Sequence, residues 1–177
     1  MFACYFLFLT VTVPSNNAPS LGEIGAYHFE ARRESQVWIN LEPQGSEDGP
    51  NPMRLNVTVS FPGRRLESAP DTARLRAESI RGTFPDRIRQ PIFRIQADRG
   101  GALDLTGPAY SFQFVSSCED CSADTVTARM PFKVLRDIAS CKAVAVTALG
   151  FLARLKPEDL VILRNFVDTL SQGVVIR

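Results

Sequence analysis

The chain has little histidine, the side chain that enzymes use most often for general acid-base catalysis. His28 is the only histidine, so a Ser-His-Asp or Cys-His mechanism would depend on that residue alone. Its neighbours Tyr27 and Phe29 are typical of a strand, and the sequence contains no GxSxG nucleophile elbow and no glycine-rich phosphate loop. We therefore predict a structural histidine, no catalytic residues and no cofactor.

Excess charge and long apolar runs are also absent. The net charge is +1, which gives no overall attraction to nucleic acid or to an acidic membrane. The apolar run at residues 2–13 is shorter than the roughly 20 residues that a membrane-spanning helix needs. The sequence thus predicts no nucleic-acid partner and no transmembrane helix.

The same apolar run bears on the compartment. Its length matches the core of a secretion signal, and the polar residues that follow include Ala18 and Ser20, small residues suited to a cleavage site. No Lys or Arg precedes the run, so the alternative is a first strand in a cytoplasmic protein. We expect a signal peptide over residues 1–20 and an exported protein, periplasmic or secreted, whose single β-rich domain spans residues 21–177.

Much of the chain before residue 115 has the period-two pattern of half-buried strands. A length of 177 residues suits one domain with a full core. The predicted fold class is mainly β, an antiparallel β-sandwich of about seven to nine strands with two helices in the C-terminal region. The alternating apolar sets are Val37, Ile39 and Leu41; Leu55, Val57, Val59 and Phe61; Tyr110, Phe112 and Phe114; and the residues of a hairpin from Ile92 to Leu105.

The last third of the chain predicts a strand, a helix, a hairpin and a second helix. Pro131 suits the first turn of a helix at about 132–141, and Gly150 turns the hairpin. The second helix, at about 157–171, begins with two acids, which the helix dipole favours. We expect its apolar stripe to pack on the sheet of the same chain. The stripe consists of Leu160, Leu163, Phe166, Val167 and Leu170.

Several positions of this segment follow a pattern that other proteins share. They are Met130-Pro131, Leu135, Ala139, Val144-Ala145-Val146, Gly150-Phe151 and Leu155-Lys156-Pro157-Glu158. Over about residues 125–170, the segment resembles the C-terminal part of uncharacterised bacterial exported β-sandwich proteins with a helix-hairpin-helix block. The resemblance implies the same fold and an exported protein, and it carries over no active-site residue.

The cysteines have three possible roles. Cys118 and Cys121 form a CxxC pair, but the two acids between them disfavour the thiolate that redox catalysis needs. A zinc site would require both of them, Cys141 and His28 to converge, and we predict no metal site. We expect a disulfide between Cys141 and either Cys118 or Cys121, with a bridge within the CxxC pair as the alternative.

Acidic residues cluster near the CxxC pair, at Asp104, Glu119, Asp120 and Asp124. Their spacing is not that of a calcium-binding loop. Carboxylates that only the fold brings together would still allow glycoside hydrolysis. A hydrolase of this kind is therefore the alternative to a protein without catalytic activity.

Arginines are concentrated in the middle of the chain. Nine lie between residues 64 and 99, against five acids. Arg74 and Arg76 share one face of a predicted strand, and Arg87 and Arg89 are spaced in the same way. Such a face is suited to an anionic ligand, although a solvated outer face of the sheet is the simpler interpretation.

These observations favour a non-catalytic, extracytoplasmic binding or structural module. The predicted ligand-binding residues are Arg74, Arg76, Arg87 and Arg89, and the predicted partner is an anionic ligand or another envelope protein. The hydrolase and a subunit of a cell-envelope complex are the alternatives. Fold class alone does not choose between them.

Overall fold

The computed structural model describes residues 9–11, 22–45, 53–79, 92–99, 101–115 and 124–176. Within these residues there are fourteen strands and two α-helices. The strands are β1 (Leu9–Val11), β2 (Gly25–Phe29), β3 (Glu34–Leu41), β4 (Gln44–Gly45), β5 (Met53–Pro62), β6 (Arg65–Leu66), β7 (Thr72–Ser79), β8 (Phe93–Ala97), β9 (Gly101–Asp104), β10 (Gln113–Val115), β11 (Thr125–Pro131), β12 (Val144–Ala148), β13 (Phe151–Arg154) and β14 (Val174–Ile176). The helices are α1 (Phe132–Ala139) and α2 (Pro157–Gln172).

The described strands form three sheets. The six-stranded sheet has the order β10-β11-β7-β5-β3-β2, and the five-stranded sheet has the order β4-β13-β12-β8-β9. Neighbouring strands in both are antiparallel. A small third sheet, β1-β14-β6, contains a parallel pair between β1 and β14. The predicted mainly β fold with antiparallel sheets and two helices near the C-terminus is confirmed.

The six-stranded sheet buries one face because apolar residues occupy alternate positions along its strands. Val57 of β5 lies between Ile39 of β3 and Leu75 of β7, and Leu75 lies opposite Ala128 of β11. All four are at most 5% exposed. A slip of one residue would turn this row towards water, so the apolar pattern fixes the register.

The five-stranded sheet is built in the same way and shares the same core. Val146 of β12 lies between Ile95 of β8 and Ala153 of β13, and all three are buried. Their side chains belong to one hydrophobic cluster together with the buried faces of the six-stranded sheet and of both helices. The two larger sheets and the helices therefore form a single core.

Both helices agree closely with their predicted ranges, and the apolar stripe of α2 is buried within the chain, as expected.

Arg164 of α2 joins the two helices, because its Nε donates to the Ala139 carbonyl oxygen and its Nη2 donates to the Cys141 carbonyl oxygen, both at 2.8 Å. These carbonyls lie at the end of α1, where backbone acceptors have no partner within the helix. A guanidinium there also complements the helix dipole.

The start of α2 contains a buried carboxylate. Asp159 is 2% exposed, and its Oδ2 accepts a hydrogen bond from the Lys156 backbone N–H at 3.0 Å. Burial raises the pKa of Asp159, and the hydrogen bond from Lys156 partly opposes that rise. The carboxylate therefore acts as a cap for the helix, where it satisfies a backbone donor.

Two strand predictions need refinement. Of the strands in the described residues, nine have four or more residues, as expected, and five shorter ones pair as well. Segments of two or three residues leave no periodic pattern. The strand predicted from Tyr110 to Phe114 is wrong in its first half, because Pro108–Tyr110 forms a 3-10 turn and only β10 is extended. Proline fixes φ and lacks an N–H, which favours a turn at this point.

The apolar N-terminal run contributes one described element. Residues 9–11 of the run form β1, which pairs with Val174–Ile176 of β14. A strand was the alternative to a secretion signal for this run. None of the helices in the described part of the chain has the length and apolar character to cross a membrane.

Candidate functional site

The two predicted arginines that the structure describes lie together on the solvent side of the six-stranded sheet, which we call the outer face. Arg74 and Arg76 are exposed on β7, whereas Leu75 between them is buried. Alternation along the strand thus places both guanidinium groups on the outer face, as predicted. Arg87 and Arg89 lie outside the described residues.

Arg129, which the sequence did not single out, lies next to Arg74. The two residues are directly opposite on β11 and β7, where Cβ atoms are about 5 Å apart. Both side chains are exposed, and neither forms an ion pair or hydrogen bond with another described residue. Like charges in this position destabilise a sheet, so the pair is unfavourable unless a ligand neutralises it.

The other two arginines that the structure describes on the outer face do have acidic partners. Arg76 lies 3.2 Å from a carboxylate oxygen of Glu78, and Arg54 lies 3.8 Å from one of Glu42. The excess positive charge of the described outer face is therefore concentrated at Arg74 and Arg129.

The only tryptophan of the chain belongs to the same cross-strand row. Trp38 of β3 lies opposite Thr58 of β5, which lies opposite Arg74, and Arg129 follows on β11. With a spacing of about 4.8 Å between strands, the row from Trp38 to Arg129 is about 14 Å long. Trp38 is half-buried.

A second row, rich in amides, runs beside the first. Asn40, Asn56, Arg76 and Thr127 are successive register partners across the same four strands. Nδ2 of Asn56 donates to Oδ1 of Asn40 at 2.9 Å, and the Thr58 hydroxyl donates to Oδ1 of Asn56 at 2.6 Å. These bonds fix the two amides and leave Nδ2 of Asn40 without a partner among the described residues.

His28 has a structural role. Its Nδ1 lies 2.8 Å from Oγ of Ser35, whose hydroxyl donates to the carbonyl oxygen of Gly63 at 2.6 Å. Because the hydroxyl proton points to Gly63, the bond with the histidine has Nδ1 as its donor. Ser35 is fully buried. The serine hydroxyl is therefore neither activated by the histidine nor accessible to a substrate, and the two residues tie β2, β3 and the turn after β5 together.

Cys141, the cysteine that the structure describes, is a free thiol. It is 2% exposed, and its Sγ donates to the Asp137 carbonyl oxygen at 3.4 Å. Its predicted disulfide partners, Cys118 and Cys121, lie outside the described residues. The expected disulfide to Cys141 is not formed in the structure.

The acidic patch is only partly described. The hydroxyl and the backbone N–H of Thr106 both donate hydrogen bonds to Oδ1 of Asp104. These bonds hold the pKa of the Asp104 carboxyl below its usual range. Asp124 is buried, and Glu119 and Asp120 lie outside the described residues. Within the described ranges, no group of three or more His, Cys, Asp or Glu side chains could hold a metal ion.

A shallow cleft of about 340 Å³ lies at one end of the five-stranded sheet, and its lining includes Lys142, Arg154 and Asp98. Desolvation acts to raise the pKa of Asp98, but hydrogen bonds from the backbone of Ala143 and Lys142 outweigh it, so the pKa is lowered. Among the described residues of the lining, Asp98 is the only carboxylate. Glycoside hydrolysis needs two carboxylates that face each other, and the described lining of this cleft does not supply such a pair.

Fold and site together define a mainly β domain with a cationic strip on one sheet face. No protein-family model matches the chain, and neither a curated protein nor a solved structure is significantly similar to it. The geometry of the outer face is therefore the feature of the molecule that bears on its function.

Proposed function

We propose that the chain is a non-catalytic binding module whose outer face holds an anionic ligand between Arg74 and Arg129. The observation that carries the proposal is the direct opposition of these two exposed arginines without an acidic partner among the described residues. An anion placed between the two guanidinium groups would accept charge-assisted hydrogen bonds from both. It would also remove their repulsion.

The unfavourable pair is itself an argument for function. A surface arrangement that costs stability is expected where binding requires it. Across the rest of the outer face, arginines are placed beside acids, as at Arg76 and Glu78. Arg76 and Arg54 thus each have a carboxylate at ion-pair distance, and Arg74 and Arg129 have none among the described residues.

Removing both arginines should weaken binding without harming the fold. In the double variant Arg74→Ala and Arg129→Ala, we expect heparin to bind about tenfold or more weakly. The free energy of unfolding should stay unchanged or rise by roughly 0.2–1 kcal/mol, because a like-charged cross-strand pair is gone. Isothermal titration calorimetry with heparin at low salt, together with urea unfolding, measures both quantities.

The double variant Lys133→Ala and Arg136→Ala is the matched control. Both residues are exposed on α1, so the net charge changes by the same amount at a different place. Its heparin affinity should stay close to that of the wild type. Equal losses in the two double variants would mean that heparin senses only net charge, and the proposed site would be wrong.

We also propose that the protein is exported. The support is the length of the apolar run at residues 2–13 and the small residues Ala18 and Ser20 after it. The pairing of β1 with β14 favours the alternative, in which the run stays as a strand. Intact-mass measurement of the protein purified from its native host should give a mature N-terminus near Leu21; a chain that retains its N-terminal run would overturn the export proposal.

A further inference from the structure

We infer that the anion bound by the outer face is an acidic polysaccharide and that Trp38 contacts its sugar rings. This inference rests on the anion-binding function proposed above. Two observations carry it. Trp38 belongs to the row that ends at Arg74 and Arg129, and the row beside it carries hydrogen-bonding amide and hydroxyl groups.

The indole of Trp38 offers both an apolar surface and a hydrogen-bond donor. Nε1 has no hydrogen-bond partner among the described residues. No buried side-chain nitrogen or oxygen of the described residues lacks a partner, so Nε1 must be accessible to solvent. A rigid ring with a free N–H at its edge matches a sugar ring, which has an apolar C–H face and a rim of hydroxyl groups.

The amide row supplies groups for sugar hydroxyls. Nδ2 of Asn40 has no partner among the described residues, and it is held in position because Oδ1 of the same amide accepts from Asn56. The Thr127 hydroxyl lies three strands away in the same row. A polymer with hydroxyls on every unit can use these neutral donors and acceptors at successive strand spacings, because a hydroxyl both donates and accepts, whereas the oxygens of a bare phosphate chain only accept.

Other anionic ligands fit the outer face less well. A lipid surface needs an apolar patch, but the exposed large apolar residues that the structure describes on this face, Tyr27 and Val115, lie on its opposite edge strands, β2 and β10. Single-stranded nucleic acid stacks successive bases on several aromatic side chains, and the row from Trp38 to Arg129 contains one. A carboxylate-bearing polysaccharide uses the tryptophan, the amide and both arginines.

The single tryptophan makes the test specific, because its fluorescence reports on this face alone. We expect oligogalacturonate to change the emission of Trp38 on titration and inorganic polyphosphate of similar charge to leave it unchanged. In Trp38→Ala the affinity for oligogalacturonate should fall about tenfold, while that for polyphosphate should stay within a factor of two. Trp38→Phe, which keeps an aromatic ring, should lose less affinity for oligogalacturonate than Trp38→Ala.

The outcomes separate this inference from the function on which it rests. If both polyanions bind with equal affinity and neither changes the emission of wild-type Trp38, the anion site stands and the polysaccharide inference is overturned. If neither polyanion binds, both are overturned. The emission titration needs no substitution, so it stays decisive even if Trp38→Ala fails to fold.

Discussion

Replacing Gly173 with alanine is expected to lower the free energy of unfolding by about 2–6 kcal/mol. Gly173 ends α2 with φ 93° and ψ 151°, a region that is essentially restricted to glycine and costs about 1–3 kcal/mol for other residues. An added Cβ would also lie 2.8 Å from the backbone carbonyl oxygen of Leu66. Overpacking of this kind costs a further 1–3 kcal/mol or so. Urea unfolding followed by circular dichroism measures the loss.

Gly150→Ala separates the two contributions. Gly150 also has a positive φ of 80°, but nothing lies within 4 Å of its added Cβ. The substitution should therefore lower the free energy of unfolding by only about 1–2 kcal/mol, which is the cost of placing a residue with a Cβ in the left-handed region. If Gly173→Ala is no more destabilising than Gly150→Ala, the close approach of α2 to the strand β6 does not constrain the fold.

Replacing Phe166 with alanine should lower the free energy of unfolding by about 3–5 kcal/mol, the range for removal of a buried aromatic side chain. Phe166 is fully buried on α2, in the hydrophobic cluster that both larger sheets share. The surrounding side chains cannot fill the resulting cavity completely, and this adds to the lost burial. In Phe166→Ala, thermal unfolding should show a transition about 6–20 °C lower.

Val161→Ala on the same helix is the control. Val161 is 50% exposed, so its truncation should change stability by no more than about 0.5 kcal/mol. Similar losses in the two variants would mean that α2 is held by its helical propensity and not by its packing. That result would contradict the burial of the stripe that begins at Leu160.

The elements that the sequence predicted well are those whose burial follows a regular period. The alternation from Leu55 to Phe61 identified β5, and the helical spacing from Leu160 to Leu170 identified α2, because each pattern marks the side of one element that faces the core. The strand predicted at Tyr110 is wrong in its first half, since alternation also occurs in a segment that begins with a turn. The short strands β4 and β6 are defined only by their pairing with neighbouring strands, and their own sequences show no periodic pattern.

The candidate site was predictable only in part. The sequence placed Arg74 and Arg76 on one strand face, because residues two apart on a strand point the same way. It gave no reason to choose Arg129, which lies on the strand predicted just before the first helix of the C-terminal region. Nor did it connect Trp38 with any arginine. The pairing of Arg129 with Arg74 and the row that joins both to Trp38 form between strands that are far apart in the sequence.

By itself, the sequence determined which residues face the core, the two helices of the C-terminal region and the presence of a single histidine. These are local properties, set by period and composition. The tertiary structure alone decided that β11 lies beside β7, and therefore that Arg129 meets Arg74 on a face that also carries Trp38. The physical reason is that strand order depends on how all the apolar faces pack into one core, and no single strand contains that information.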